Sequence, residues 1–165
     1  MARVAIRDAE LGDHGWVLER HAHLYPPGSG WGRPFVALVA GVIAEFLENL
    51  DPERERAWIG EVDGERAGAV YCTSESEEAA RLRLLFVEDW ARGNGLGRRL
   101  VDECVSFAKE RDYRRMVLWT NSSLTSARRI YDALGFVQTK EEPNPVFPEG
   151  TVGQELWLDL QPPPD

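Results

Sequence analysis

The chain has 165 residues, 28 Asp and Glu against 19 Lys and Arg, a formal net charge of −9 and 43% apolar residues. That length suits one domain around a single core and excludes a second full domain, while the acidic balance argues against nucleic acid, whose binding by counterion release needs surplus cations. No stretch approaches the roughly 18 apolar residues of a membrane span, and the N-terminal MARVAIRDAELGD turns charged too soon for a signal peptide, so no membrane partner is expected and the chain reads as cytoplasmic.

Without internal repeats or linkers, residues 1–160 read as a single domain, followed by a frayed Pro-rich tail at 161–165. Val4 to Ile6 makes a short first strand. Asp13 can cap a helix running to about His23, with Trp16, Val17 and Leu24 available to the core. After a Pro-Gly turn, Pro34 opens a second helix whose apolar positions Phe35, Leu38, Val39, Val42, Ile43, Phe46, Leu47 and Leu50 follow the i, i+3, i+4 pattern. Strands at about Arg56 to Val62 and Arg66 to Cys72 are joined by Asp63-Gly64, a dipeptide that tolerates the positive φ angles of a tight hairpin. A polar loop from Thr73 to Glu78 leads to Leu82–Val87, apolar enough for a central strand.

The glycine-rich stretch Ala91-Arg92-Gly93-Asn94-Gly95-Leu96-Gly97 then opens a helix with Leu96, Leu100, Val101, Cys104, Val105 and Ala108 on one face. Met116 to Trp119 is a further strand. Ser122 or Ser123 can cap a helix carrying Leu124, Ala127, Ile130, Tyr131 and Leu134, which Gly135 can end, and Phe136–Thr139 and Leu156–Leu160 supply two last strands. The expected fold class is mixed α/β (α+β), with about seven strands and four helices. Cys72 and Cys104 are too few for a disulfide framework or a four-Cys zinc site and read as reduced core thiols. His21 and His23, two apart on a helix, face different ways, make no metal pair and read as surface residues at a helix end.

Between Trp90 and Val101 stand three arginines, Arg92, Arg98 and Arg99, and no acid. Glycines let backbone N–H groups turn towards one point, and the helix start behind them adds partial positive charge, which together make an anion cradle. A tight strand-to-helix turn with solvated arginines would look the same. The segment lacks the Gly-Lys-Ser/Thr ending of a P-loop, and Gly93, Gly95 and Gly97 do not have the G-x-G-x-x-G spacing of a dinucleotide fingerprint.

Arg92-Gly93-Asn94-Gly95-Leu96-Gly97 does resemble the acyl-CoA pyrophosphate loop, Arg/Gln-x-x-Gly-x-Gly/Ala, of the GNAT N-acetyltransferases. Trp119-Thr120-Asn121, Ala127, Ile130-Tyr131 and Leu134-Gly135-Phe136 are similar to the second signature of that family, and the order of elements follows its pattern from about Val4 to Leu160. Arg54-Glu55-Arg56, Leu82-Arg83-Leu84-Leu85, Gly97–Cys104 and Leu118–Asn121 further resemble the GNAT domain that in bacteria is often fused behind a MarR-type DNA-binding domain, for which this chain has no room.

The resemblance implies a GNAT fold, a mostly antiparallel seven-stranded sheet flanked by about four helices, with acetyl-CoA as co-substrate and no metal. Leu85, Phe86 and Val87 would pair through their backbone with the pantetheine arm. Arg92, Gly93, Asn94, Gly95, Leu96, Gly97 and Arg98 would hold the pyrophosphate, Asn121 would bond the pantetheine arm or simply cap the next helix, and Arg128 would reach towards the phosphoadenosine or stay solvated. Tyr131, a phenol with an ordinary pKa near 10, would protonate the departing thiolate.

Many relatives carry a Glu where Arg81 stands, so no general base is assigned; Glu78, Glu45 or a water chain are the options. Tyr25 and Trp31 would line an amine pocket or fold their loop onto the core, and surface acidity would favour arrival of a cationic amine. The expected function is direct acetyl transfer to a primary amine of a small molecule or peptide; the alternative is a non-catalytic acyl-CoA sensor. A homodimer through the C-terminal strand bearing Trp157 is a further expectation.

Overall fold

The computed structural model describes residues 1–24 and 30–161; Tyr25 and the tail from Pro162 lie outside the described residues. Seven strands and four helices follow in the order β1 (Val4–Asp8), α1 (Leu11–Leu24), α2 (Arg33–Glu48), β2 (Arg56–Val62), β3 (Glu65–Ser74), β4 (Ala79–Val87), α3 (Leu96–Glu110), β5 (Arg115–Asn121), α4 (Thr125–Leu134), β6 (Val137–Glu142) and β7 (Gly153–Asp159). They build one sheet in the order β1-β2-β3-β4-β5-β7-β6, antiparallel throughout except for the central β4–β5 pair.

Local chemistry accounts for the connections. Asp63 and Gly64 both hold positive φ, 52° and 83°, the geometry that matches a two-residue hairpin to the strand twist. Gly135 ends α4 in the left-handed region at φ 97°, where a Cβ would be strained. Asp13 lies inside α1 and not before it: its carboxylate reaches back to the backbone N–H of Glu10 at 2.7 Å, a capping-box arrangement, and takes Arg7 at 2.7 Å. Burial works to raise the pKa of this carboxyl, yet the bonds from Arg7 and Glu10 prevail and hold it down at about 2.

Two apolar layers sandwich the sheet. On one face α3 and α4 pack Leu96, Leu100, Val101, Cys104 and Tyr131 against Val70, Cys72, Leu82 and Met116; on the other α1 and α2 pack Val17, Phe35, Val39, Ile43 and Phe46 against Ile59, Ala69, Tyr71 and Phe86. Both cysteines are free and buried, and burial pushes the Cys104 thiol well up. The buried side of α2 is narrower than its apolar stripe, because the helix covers the sheet with one face only and leaves Leu38 and Leu47 exposed.

Three further expectations are corrected. His21 is no surface residue: it is 4% exposed, since it falls one turn beyond Val17 on the face of α1 that meets the sheet. Serine does not cap α4; Leu124 stands at its N-cap, without a side-chain cap. The strand bearing Trp157 is interior, paired with β5 on one side and β6 on the other, so it has no free edge for a second copy.

Candidate active site

The functional geometry begins with a pairing that stops early. β4 and β5 pair in parallel only from Ala79 opposite Arg115 to Arg81 opposite Val117. Beyond that point six residues of β4 and four of β5 diverge, leaving facing edges whose backbone groups lack each other as partners. A bulge helps: the β3–β4 register shifts between Ala69 and Tyr71, and Leu84 in the bulged strand takes a φ of 57°.

The gap continues into two cavities that share Leu85, Leu124 and Ala127. The first is a cleft of about 530 Å³ on the α3–α4 side, walled by β4 from Leu85 to Val87, by the glycine loop and by the first turn of α4. Two helix N-termini converge here: α3 begins at Gly95 (φ 74°) and α4 at Leu124, and neither has a side-chain cap. At α4 the Leu124 and Thr125 N–H groups bond back to the Asn121 and Ser123 carbonyls at 2.9 and 3.0 Å, so the start of α3 is the better supplied with N–H groups for the cleft, where the helix dipole favours an anion. Gly93 (φ 87°) and Gly95 supply the left-handed turns. Gly97 allows the helices to approach, since a Cβ there would stand 2.9 Å from the Ile130 side chain.

The second cavity, about 170 Å³, lies across the gap and is lined by residues from both faces of the sheet: His21, Trp31 and Phe35 on one side, Ala127 and Tyr131 on the other, and Arg81 and Arg83 on β4 between them. The opening between β4 and β5 is thus lined from both faces of the sheet. Tyr131, 4% exposed, packs edge-on against Phe136 at 5.5 Å between ring centres. Trp31 stands edge-on to Phe35 at 4.7 Å and tilts against Phe147 at 5.5 Å.

His21 is held from its own helix. Its Nδ1 is 2.8 Å from the Val17 carbonyl, an acceptor, so Nδ1 carries the proton and Nε2 of the neutral ring keeps its lone pair. Burial against Phe35 and Phe86 pushes its pKa below the ordinary 6.5, against the smaller pull of the Val17 carbonyl.

Most residues named from the sequence gather here. Leu85, Phe86, Val87, Arg92, Gly93, Gly95, Leu96, Gly97 and Arg98 line the larger cleft, and Trp31, Asn121 and Tyr131 line the smaller cavity. Asn94 sits in the loop and donates to the Ala91 carbonyl at 2.9 Å. The basic island is partly neutralised by acids just outside it, Arg92 pairing with Asp89 at 3.2 Å and Arg98 with Asp102 at 3.3 Å. Asn121 accepts from the Ser123 N–H at 2.9 Å and donates to Thr151 at 2.9 Å, so its amide braces the β5–α4 turn. Arg128 is outside the cleft, bound to Asp132, Gln138 and Gln154.

Glu78 and Glu45 line neither cavity: Glu78 faces Arg114 and Arg115, and Glu45 belongs to a neighbouring hollow. Among the described residues no cluster of three or more His, Cys, Asp or Glu could hold a metal ion, and no helix is long and apolar enough to cross a membrane.

Comparison with known proteins follows the same lines. Residues 18–136 match the acetyltransferase (GNAT) family. An uncharacterized N-acetyltransferase of Archaeoglobus fulgidus is 30% identical over 88 residues, 50% of this chain and 60% of that protein. The N-acetylaspartate synthetase of Homo sapiens is 27% identical over 113 residues, 68% of this chain and 37% of that protein. The chain thus spans between about a third and three-fifths of these curated relatives. A candidate acetyltransferase of Salmonella typhimurium, solved with its cofactor acetyl-CoA, superposes with a TM-score of 0.75 at 20% identity, over 96% of this chain and 94% of that one. An N-acetyltransferase of Staphylococcus aureus Mu50 gives 0.76 at 17% identity, over 96% and 99%.

Proposed function

The chain belongs to the GNAT acetyltransferase family, and from that premise we propose that it is an N-acetyltransferase, moving an acetyl group from acetyl-CoA directly to a primary amine. The observation that carries the reading is the pair of adjoining cavities at the β4–β5 gap, one suited to a phosphorylated carrier and the other lined by His21 and Tyr131. The likeness to a fold solved with acetyl-CoA supports it. The motif resemblance to GNAT domains of bacterial MarR fusions supports a bacterial, cytoplasmic setting, with residues 1–160 forming the catalytic unit.

Acetyl-CoA supplies the acetyl group as a thioester. The chain's own groups divide the rest of the work. Free N–H groups of the glycine loop and of the α3 start hold the pyrophosphate, with Arg92 and Arg98 exchanging their acidic neighbours for phosphate oxygens. The unpaired edges of β4 and β5 bond the pantetheine amides as a strand would. The Tyr131 hydroxyl gives its proton to the departing sulfur, and Nε2 of His21 takes the proton that the attacking amine sheds.

Two results follow. Removing both Arg92 and Arg98 side chains by alanine substitution should raise KM for acetyl-CoA about tenfold, a loss of about 1.4 kcal/mol, with kcat nearly unchanged and the effect shrinking in high salt. His21 can accept a proton only when neutral, which holds above its pKa, and burial sets that pKa below 6.5. The other charged or titratable groups lining its cavity among the described residues are Arg81, Arg83 and Tyr131. We therefore expect kcat to stay level from pH 8 to about 6.5 and to fall as pH drops through the His21 pKa; His21→Gln should lower kcat and abolish that acid limb.

The reading is tested by thiol release from acetyl-CoA against a panel of amines. Thiol appearing in step with acetylated product supports transfer, whereas acetyl-CoA binding without acceptor-dependent thiol would mark a non-catalytic sensor.

A further inference from the structure

An acceptor amine has to enter the 170 Å³ cavity, and among the described residues that line it the charged ones are Arg81 and Arg83, with no Asp or Glu. The acidity of the surface stops short of this point: Glu45, Glu55, Glu75 and Glu77 line the adjoining hollow, which shares Arg83 and Val42 as its wall. Arg81 and Arg83 alternate along β4 and so project to the same face of the sheet, towards α1 and α2. Arg81 is engaged, its Nε 2.7 Å from Glu75. Arg83 is different. Among the described residues it makes no hydrogen bond and has no carboxylate within 4.0 Å, although it is half-buried and its neighbour carries the same charge. Its guanidinium nitrogens are not sealed in the core either, since Arg115 Nε is the buried side-chain nitrogen or oxygen left without a partner.

A half-desolvated guanidinium beside a like charge is costly unless an anion meets it. Burial, and next the Arg81 charge, push the Arg83 pKa below its ordinary value, which Glu45 and Glu75 counter from the adjoining hollow. A simple ammonium entering this cavity would face the unpaired Arg83 cation, with Arg81 beside it already bound to Glu75. An amine with its own negative charge would neutralise Arg83, and the planar fork of an arginine suits a carboxylate.

We propose that the acceptor carries a carboxylate beside its reacting amine, as a free amino acid does, and that Arg83 binds that carboxylate with Arg81 alongside. This rests on the acetyl-transfer reading above. Held there, the acceptor directs its amine towards His21 and Tyr131, and the nearby positive charge makes its ammonium easier to deprotonate.

The test uses the full chain, acetyl-CoA and matched acceptors: the twenty common amino acids, each compared with its amide and with the amine lacking the carboxylate. The carboxylated member of at least one set should react with kcat/KM tenfold or more above its partners. Arg83→Gln should bring that ratio towards one, mainly by raising the amino-acid KM, and Arg83→Lys should restore part of it. Amides or simple amines reacting as well as the amino acids, or a preference that survives Arg83→Gln, would overturn the carboxylate assignment while leaving acetyl transfer standing. If no amine releases thiol, the transfer reading fails; calorimetric binding of the same sets to the CoA-loaded chain then decides the carboxylate site, and equal binding of acid and amide overturns it.

Discussion

Tyr131→Phe should lower kcat for amine acetylation about a hundredfold, the lower end of what a positioned general acid contributes, while KM for acetyl-CoA stays within about twofold. The reason lies in how the ring is held. Tyr131 packs by its edge against Phe136 and is 4% exposed, a ring contact that phenylalanine keeps, while the substitution removes the hydroxyl proposed to give its proton to the leaving sulfur. A phenol suits that task because its ordinary pKa near 10 keeps it protonated at neutral pH. Initial-rate kinetics by thiol release gives both constants, and thermal denaturation of the same variant should show an unchanged fold. Full activity in Tyr131→Phe would remove the hydroxyl from the mechanism.

The largest expected effect on stability is at the end of β4. Arg20 of α1 bonds both carboxylate oxygens of Glu88, through Nη2 at 3.1 Å and through a closer contact from Nε. Glu88 follows β4 directly and is 5% exposed, and its backbone N–H donates to the Ala67 carbonyl at 2.7 Å, which fixes its main chain against β3. Arg20→Ala leaves a buried carboxylate without its partner and should cost about 3 kcal/mol, lowering the urea midpoint by about 1–2 M. The same pair ties α1, and with it His21, to the strand that borders the gap, so the variant should also lose activity at temperatures where it is still folded. A midpoint within about 0.3 M of the parent would mean that the pair holds nothing.

What could be read in the sequence was what depends on neighbours along the chain. The hairpin at Asp63-Gly64 follows from two positive φ angles in succession, the α3 face from Leu96, Leu100, Val101 and Cys104 one helical turn apart, and the tight turn into α3 from glycines before an uncapped helix. What could not be read depends on contacts between distant segments. The early end of β4–β5 pairing is set by register and a bulge, which leave no local trace beyond the apolar run Leu84–Phe86. Arg128 reads from the sequence as reaching towards the phosphoadenosine or staying solvated, and neither reading foresees Gln138 and Gln154, which arrive from β6 and β7 to bind it. Asn121 has the motif's position, but the loop bearing Thr151 and the turn at Ser123 take up its amide.

His21 is the instructive omission. Comparing it with His23 alone put it on the surface, whereas His14, Val17 and His21 stand at i, i+3 and i+7, a spacing that marks one buried face of α1. Arg81 and Arg83 carried a signal too. Two arginines spaced two apart in an otherwise apolar central strand must share a face, and that face proves to be the wall of the smaller cavity.

A crystal structure of the chain with CoA tests the central claim most directly, because every role assigned to a side chain depends on where the sulfur stands. The account predicts the pyrophosphate at the N–H groups of Gly93–Arg98, the pantetheine arm between the diverging edges of β4 and β5, and the sulfur within hydrogen-bond reach of the Tyr131 hydroxyl, at the mouth of the cavity holding His21 and Arg83. CoA bound elsewhere, or with its sulfur pointing away from Tyr131 into solvent, would contradict it.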